Sequence, residues 1–546
     1  MSISRLSGQI VDVTNGEIFP GMIDFENGVI KSVARRDKAP EIFIAPGLID
    51  AHIHIESSHL CPSRFAETVI PHGTTAVVTD PHEIANVFGM DGVKYMIRDS
   101  KGTPLRTFFT APSCVPATQF ETSGAVLTHS EVSEMLSWPE VVALGEMMNF
   151  PGAISGDEEV LLKIDAAKKF GKPVDGHAPM LSGEDLRRYA SRGITTDHEC
   201  TSQEEAEEKF SAGMAVQIRQ GSASKNLSAL AGFAKDHPFM LVSDDRSAHD
   251  LLRGHLDHTL REAVDLGIDP MSALQAVTVR PAMHYGLPGG WFEPGRAADF
   301  AIFDNLDDFE VTESWLAGIK VASEGMPLFD VAPTKLDLKL PCIRKSPADF
   351  EMKAEKENVN ARAIGAIDGE IVTESSRVRL EVKDGTIEPN IELDALRLAV
   401  INRYMEAPVS NSFAVGFGLQ EGAIASTVAH DSHNCIVVGV ETEAMAEAAN
   451  SSLECGGFSV SGAGRTSLLE LPIAGLMTDR PASEVAMAID VLLGHAGQIG
   501  CRLSSPFMTL SFMSLLVIPK LKLGDRGLFD VEEFRFVEPI EDDPVE

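Results

Sequence analysis

Positive charge is what this chain has least of. Its 546 residues carry 46 Lys and Arg against 81 Asp and Glu, a net charge of −35. Such a surface repels polyanions, so nucleic acid and anionic membranes are poor partners, and a small neutral or cationic molecule fits better. Long apolar runs are missing as well. No stretch approaches the roughly 20 residues of a membrane span. The opening residues MSISRLSGQIVDV lack the basic patch and apolar segment of a secretory leader. The seven cysteines are odd in number and none stand as CxxC, which argues against thiolate zinc and a disulfide framework. A reducing, cytoplasmic location is therefore expected. No GxGxxG follows the first apolar strand of the alternating region, so a dinucleotide-binding open sheet lacks support.

What remains is ordinary globular material, 44% hydrophobic and 23% charged, in a chain long enough for two to four domains. Residues 1–46 read as short strands separated by turns such as Asn15-Gly16 and Asn27-Gly28. A similar texture returns in "GRAADFAIFD" and "VASEG", so 1–46 and 286–345 are expected to build one split β-sandwich domain. Between them, eight apolar runs alternate with helical patterns such as "GDEEVLLKIDAAKKF". The runs are "GLIDAHIHIE", "TTAVVTDPHE", "RTFFTAPS", "VVALGEMM", "KPVDGHAP", "GITTDHEC", "MAVQIRQGS" and "FMLVSDD". Strand-helix alternation of this kind predicts a parallel sheet, and eight units predict a closed (β/α)8 TIM-type barrel over 47–285. Residues 346–546 change texture again and read as an additional C-terminal α+β domain with an acidic tail.

In such a barrel the chemistry sits where the strands end. Run one ends in His52, His54 and Glu56; run two in Asp80, His82 and Glu83; run four in Glu146; run five in His177; run six in Asp197, His198 and Glu199; run eight in Asp244 and Asp245. His52 and His54 lie two apart on one strand and so project from one side. A buried Glu146 serving only structure would be a costly unpaired charge. His177 also reads as a core histidine, and Asp244-Asp245 as a helix cap. Several carboxylates converging on one cavity repel one another unless a cation sits among them. "HEIAN" is not the zincin HExxH, since Asn86 stands where the second His belongs.

The strings "DAHIHIESS", "TDPHEIANVFG", "GEMMNFPG", "DGHAP" and "SDDR", with "AHDSHNCIVVGV" and "LPIAGLMTD" further on, resemble the bacterial adenine deaminases of the amidohydrolase superfamily over nearly the whole chain. Glu146 stands where many superfamily members carry a carbamylated Lys. The resemblance implies metal-dependent hydrolysis of adenine to hypoxanthine and ammonia, as in purine salvage. It implies two divalent ions, manganese first, with iron or zinc also compatible with imidazole and carboxylate donors. Their ligands would be His52, His54, Glu146, His177, His198 and Asp244, with Glu146 bridging. It also implies a homo-oligomer, a dimer.

In the mechanism this suggests, Asp244 accepts the water proton and Glu83 is the candidate acid that protonates the ring near N1; Glu83 also reads as a metal ligand or as a brace for His82. Arg219, Ser222 and Asp245 are offered as purine contacts. His430, Asp431 and His433 read as a lid over the barrel mouth, a further metal site, or a hydrogen-bonded turn. The rivals are a dihydroorotase- or hydantoinase-like hydrolase of the same superfamily, and a non-catalytic scaffold barrel.

Overall fold

The computed structural model describes residues 3–541, so the last five residues of the acidic tail lie outside it. Each of the eight runs forms a strand: β1 (Leu48–His54), β2 (Thr74–Thr79), β3 (Arg106–Ala111), β4 (Val141–Met147), β5 (Val174–Gly176), β6 (Thr196–Asp197), β7 (Ala215–Arg219) and β8 (Met240–Val242). β1 to β5 pair in parallel in chain order, as do β6 to β8. Thr195 N–H donates to Val174 O across the β5–β6 gap at 2.8 Å. A short continuation of β8, Asp244–Asp245, pairs in parallel with β1 and closes the ring. The fold is therefore the (β/α)8 barrel expected. β1 and β2 are buried along their whole length, as strands covered on both faces must be.

Several of the helices between the strands start where a side chain satisfies one of their first amides. Asp157 caps Glu158–Lys169 by accepting from Val160 N–H at 3.0 Å, and Ser202 caps Gln203–Ser211 through Glu205 N–H at 3.2 Å. Glu158 and Glu159 open the first of these helices and Lys168 and Lys169 close it, each charge opposite to the helix-end dipole it meets. The helix His82–Ser100 breaks at Gly89, whose φ of 57° and ψ of −142° only glycine adopts readily.

The chain divides into two compact units. One holds the barrel and an eight-stranded sheet that joins strands from both ends of the barrel segment. In that sheet Phe43–Pro46 pairs in parallel with Ser4–Asp12 and antiparallel with Phe300–Phe303. The other unit runs from Leu336 onward and also takes in Glu83–Gly92 and Val115–Val126, two stretches that follow the barrel strands β2 and β3. Its core is a ten-stranded sheet, with the helix Thr442–Cys455 laid on Ala423–Ser426, Cys435–Gly439 and Gly457–Gly462. Ala423, Ala425, Cys435 and Val437 bury against Met445, Ala446, Ala448 and Ala449, where small residues let helix and sheet approach closely. No helix among the described residues is long and apolar enough to cross a membrane.

Candidate metal centre

Two irregularities aim the first strand. The register of β1 against β2 slips between Asp50 and Ile53, the signature of a bulge. A regular strand would place Asp50, His52 and His54 on one face. Here Asp50 instead bonds the Ser243 hydroxyl and lies 3.1 Å from His255 Nε2, while His52 and His54 turn to the centre with their rings 4.8 Å apart. At the opposite edge, Asp244 takes a left-handed φ of 55°, a strained conformation of the kind that collects at functional sites. That turn brings its Oδ1 to 3.3 Å from both His52 Nε2 and His54 Nε2.

Glu146, at the end of β4, sits among four imidazoles. Its Oε1 lies 3.5 Å from His54 Nε2 and 3.4 Å from His82 Nδ1; its Oε2 lies 2.8 Å from His177 Nδ1 and 3.1 Å from His198 Nε2. The carboxylate thus has one oxygen turned to each pair of rings. Asp80 Oδ2 accepts from Glu146 N–H at 3.0 Å, and Gly145 makes room for it, since a Cβ there would lie 2.2 Å from the same oxygen. Asp197 accepts from the backbone amides of Ala178 and Glu199, both at 2.9 Å, and is paired with the buried Lys209 at 2.6 Å. Asp80 and Asp197 therefore brace the loops that carry the central groups.

The six residues expected to converge do so: His52, His54, Glu146, His177, His198 and Asp244 form overlapping groups whose ligand atoms lie within 4.8 Å of one another. Two more belong with them. His82 joins His54 and Glu146, and Glu199 joins His177 and His198. Both stand at strand exits, a signal visible in the sequence and not carried into the expected ligand set.

Burial opposes charge throughout the cluster, and the partners decide the outcome. His177, His198 and His54 hold the Glu146 carboxyl well below the usual range despite its burial. His52 and His54, with the charge of Arg219, do the same for Asp244. Against the same desolvation, Glu146 and Glu199 push His198 up to about 10. His177 is raised by Glu199 and Glu146, and His54 by Asp244 and Glu146. The centre concentrates negative charge and recruits protons onto its rings, which is the electrostatic condition for holding cations.

The donor set fits divalent ions. It is imidazole and carboxylate with no thiolate, a combination that suits manganese, iron or zinc. His54 Nδ1 donates to the Asp80 carbonyl at 3.0 Å, which leaves Nε2 as the ring atom that faces the centre and that an ion would take in place of a proton. His52 Nε2 is buried without a hydrogen-bond partner among the described residues.

The remaining expected residues are placed as follows. Arg219, at the end of β7, is buried and turned to carboxylates: both its terminal nitrogens contact Glu199, Nη2 at 2.9 Å, and Nη1 lies 3.1 Å from Asp244 Oδ2. Ser222 donates to Asp250 Oδ2 at 2.6 Å and accepts from Ser247 N–H at 2.8 Å. Asp245 accepts from the Ser57 hydroxyl. These three were offered to the purine, and their nearest partners are protein groups.

Glu83 stands in the other compact unit, with His430 and His433. His430 Nδ1 lies 2.8 Å from Glu83 Oε1, and His433 Nε2 contacts Glu83 Oε2. Asp431 is buried beside them, its Oδ1 3.7 Å from His430 Nδ1. Burial pushes His433 down to about 4 even with Glu83 opposing it, so the ring is neutral at pH 7.

Comparison with known proteins agrees with this geometry. Residues 43–325, just over half of the chain, match the amidohydrolase family, and residues 370–535 match the adenine deaminase C-terminal domain. The adenine deaminase of Methanothermobacter thermautotrophicus is 50% identical over 97% of this chain and 98% of its own length. Those of Methanosphaera stadtmanae and Salinibacter ruber are each 45% identical over 98% of this chain, covering 99% and 98% of their own lengths. A barrel whose strand ends gather eight imidazole and carboxylate groups, with full-length relatives at this level of identity, places the chain in the amidohydrolase family, among the adenine deaminases.

Proposed function

We propose that this protein hydrolyses adenine to hypoxanthine and ammonia, with two divalent ions, manganese before iron or zinc, held by His52, His54, Glu146, His177, His198 and Asp244. The observation that carries the reading is Glu146, with one oxygen turned to each of two imidazole pairs, so that one carboxylate would serve ions held on either side of it. Ions in such a site supply Lewis acidity and a nucleophile drawn from water near neutral pH.

The protein groups then manage protons. Asp244 stays ionised, because His52, His54 and Arg219 favour its charge against burial, and so it is a base at pH 7. Arg219 holds Oδ2, and Oδ1, which faces the centre beside His52 Nε2 and His54 Nε2, takes a water proton and hands it to the departing amine. Glu83, the residue after His82, gives a proton to N1 as C6 is attacked. The second water proton, freed when the C6 carbonyl forms, restores Glu83. The atoms balance: water supplies the oxygen of hypoxanthine and one proton of ammonia, and its other proton makes good the one N1 keeps.

The reading extends to the division of the chain: 1–46 with 286–345, the barrel 47–285, and 346–546. The sheet joining Phe43–Pro46 to Phe300–Phe303 supports the first of these. It extends also to a cytoplasmic homodimer, with seven unpaired cysteines in keeping with a reducing compartment, and light scattering on the purified protein tests the dimer.

The test of function is direct. Metal-reconstituted protein incubated with adenine should release ammonia and convert the ultraviolet spectrum to that of hypoxanthine. Opening of hydantoin or dihydroorotate with no action on adenine would instead identify a ring-opening relative.

A further inference from the structure

The C-terminal unit brings two histidines to one carboxylate, and the partners of the far ring nitrogen say what the pair is for. His433 Nδ1 accepts the backbone N–H of Ala429 at 3.3 Å. A neutral imidazole has one N–H, so with Nδ1 accepting, the hydrogen must sit on Nε2, the atom that faces Glu83. The same residue donates its own backbone N–H to Ala429 O at 2.7 Å, so ring and main chain are tied to one residue on both sides. Its φ of 52° is left-handed, a conformation that costs a non-glycine residue energy and that this double tie maintains. His430 is fixed differently, its ring stacked on Phe512 at 4.6 Å and 18°. Asn434 next to His433 anchors the loop by donating to Thr122 O at 2.8 Å.

We infer that His433, supported by His430, is a positioning residue for Glu83: it fixes the carboxyl group and stabilises the carboxylate left when Glu83 gives its proton to the purine. The inference rests on the proton-donor reading of Glu83. A donor aimed at charge that develops only during the reaction lowers the barrier without tightening substrate binding. A third metal at Glu83, His430 and His433 is the competing use of the same atoms. It would need the Nε2 lone pair of His433 while Nδ1 still accepts a backbone N–H, which strips the ring of its last proton. The tautomer favours the hydrogen bond.

The experiment compares kcat and KM for adenine, metal content and thermal midpoint in the metal-loaded full chain and its variants Glu83→Gln, His433→Ala, His433→Gln, His430→Phe and Glu83→Gln/His433→Ala. Glu83→Gln should lower kcat by about 100-fold or more. His433→Ala should lower kcat roughly tenfold to 100-fold with KM and metal content unchanged, and His433→Gln, which keeps an N–H donor, should recover most of that loss. In the Glu83→Gln background, His433→Ala should cost little more, since it acts through a group already neutralised. His430→Phe keeps the ring stack and its volume while removing a donor, and should lower kcat several-fold; it serves as the test if His433→Ala does not fold. Wild-type kcat in both His433→Ala and His430→Phe, His433→Gln no better than His433→Ala, or a stoichiometric metal lost on replacing His433 would overturn the inference. Wild-type turnover by Glu83→Gln would overturn the donor reading itself, a distinct result.

Discussion

The protein holds histidine against carboxylate in two places, and the second nitrogen of the ring separates them. In the barrel, His54 donates from Nδ1 to the Asp80 carbonyl, so Nε2 is the atom it turns to the centre and the one an ion would take by displacing a proton. In the C-terminal unit, His433 accepts at Nδ1 from Ala429 N–H and so offers a hydrogen from Nε2. The first arrangement makes a ligand and the second makes a donor. The carboxylates differ to match. Glu146 meets four rings, two at each oxygen, while Glu83 meets His430 at one oxygen and His433 at the other. Residue type is the same in both regions, and one backbone contact sets the chemistry.

The largest effect that tests this contrast comes from Glu146. Replacing it with Ala removes the group shared between the two imidazole pairs. At least one ion should be lost and adenine turnover should fall by about three decades or more, several kcal/mol of barrier. Metal analysis beside a turnover assay checks it, and full metal occupancy would make Glu146 a spectator.

Arg219 sharpens the barrel side. Its contacts with Glu199 and Asp244 Oδ2 make it a group that orients Asp244, the proposed base. Arg219→Gln should lower kcat about tenfold to 100-fold with little change in KM. A raised KM at preserved kcat would instead restore it to the purine, where the sequence first suggested it belonged.

The pH dependence of metal uptake is the next effect in size. His198 is raised to about 10 against the opposition of burial, so without ions it is protonated at neutral pH. Metal must displace that proton, so uptake should release acid and affinity should weaken as pH falls. The sign for stability runs the other way in the metal-free protein. The contribution of His198 is complete below the unfolded value of about 6.5 and is lost as pH rises through 10. Titrating metal-free protein with manganese in weakly buffered solution, with a pH indicator, reads the proton release directly.

The smallest expected effect lies in the C-terminal unit. Glu121 is buried, and burial together with the charges of Asp431 and Asp525 pushes its carboxyl up to about 8. Its contribution to stability is complete below its unfolded value and is lost as pH rises through 8. Glu121→Gln, neutral at every pH, should therefore lose less of its thermal midpoint between pH 6 and pH 9 than the parent, a difference of a few degrees. Equal slopes would mean that Glu121 is ionised in the folded protein.

Much of this was legible in the sequence because the barrel writes its plan locally. Each strand is a contiguous apolar run whose exit carries polar residues, so the rim is legible from the sequence alone, while the choice of His52, His54, Glu146, His177, His198 and Asp244 among those residues comes from the resemblance to a known family. His82 and Glu199 sat at the same exits. Run and exit do not say how many of the polar residues at one exit turn inward, and at run six both His198 and Glu199 do; the bulge in β1 and the left-handed turn at Asp244 show how the backbone decides. The target of Arg219 was hidden for a related reason, since a long side chain at a strand end reaches several places. Least legible was the partnership of Glu83 with His433, 350 residues apart. No periodicity connects them, and the tautomer that defines their relation depends on a backbone amide of a loop.

The account stands most directly on where metal binds. Anomalous diffraction from crystals of the manganese-loaded protein should show two peaks among His52, His54, Glu146, His177, His198 and Asp244, and none between Glu83, His430 and His433. A peak at the second cluster, or an empty first one in protein that turns over adenine, would contradict it.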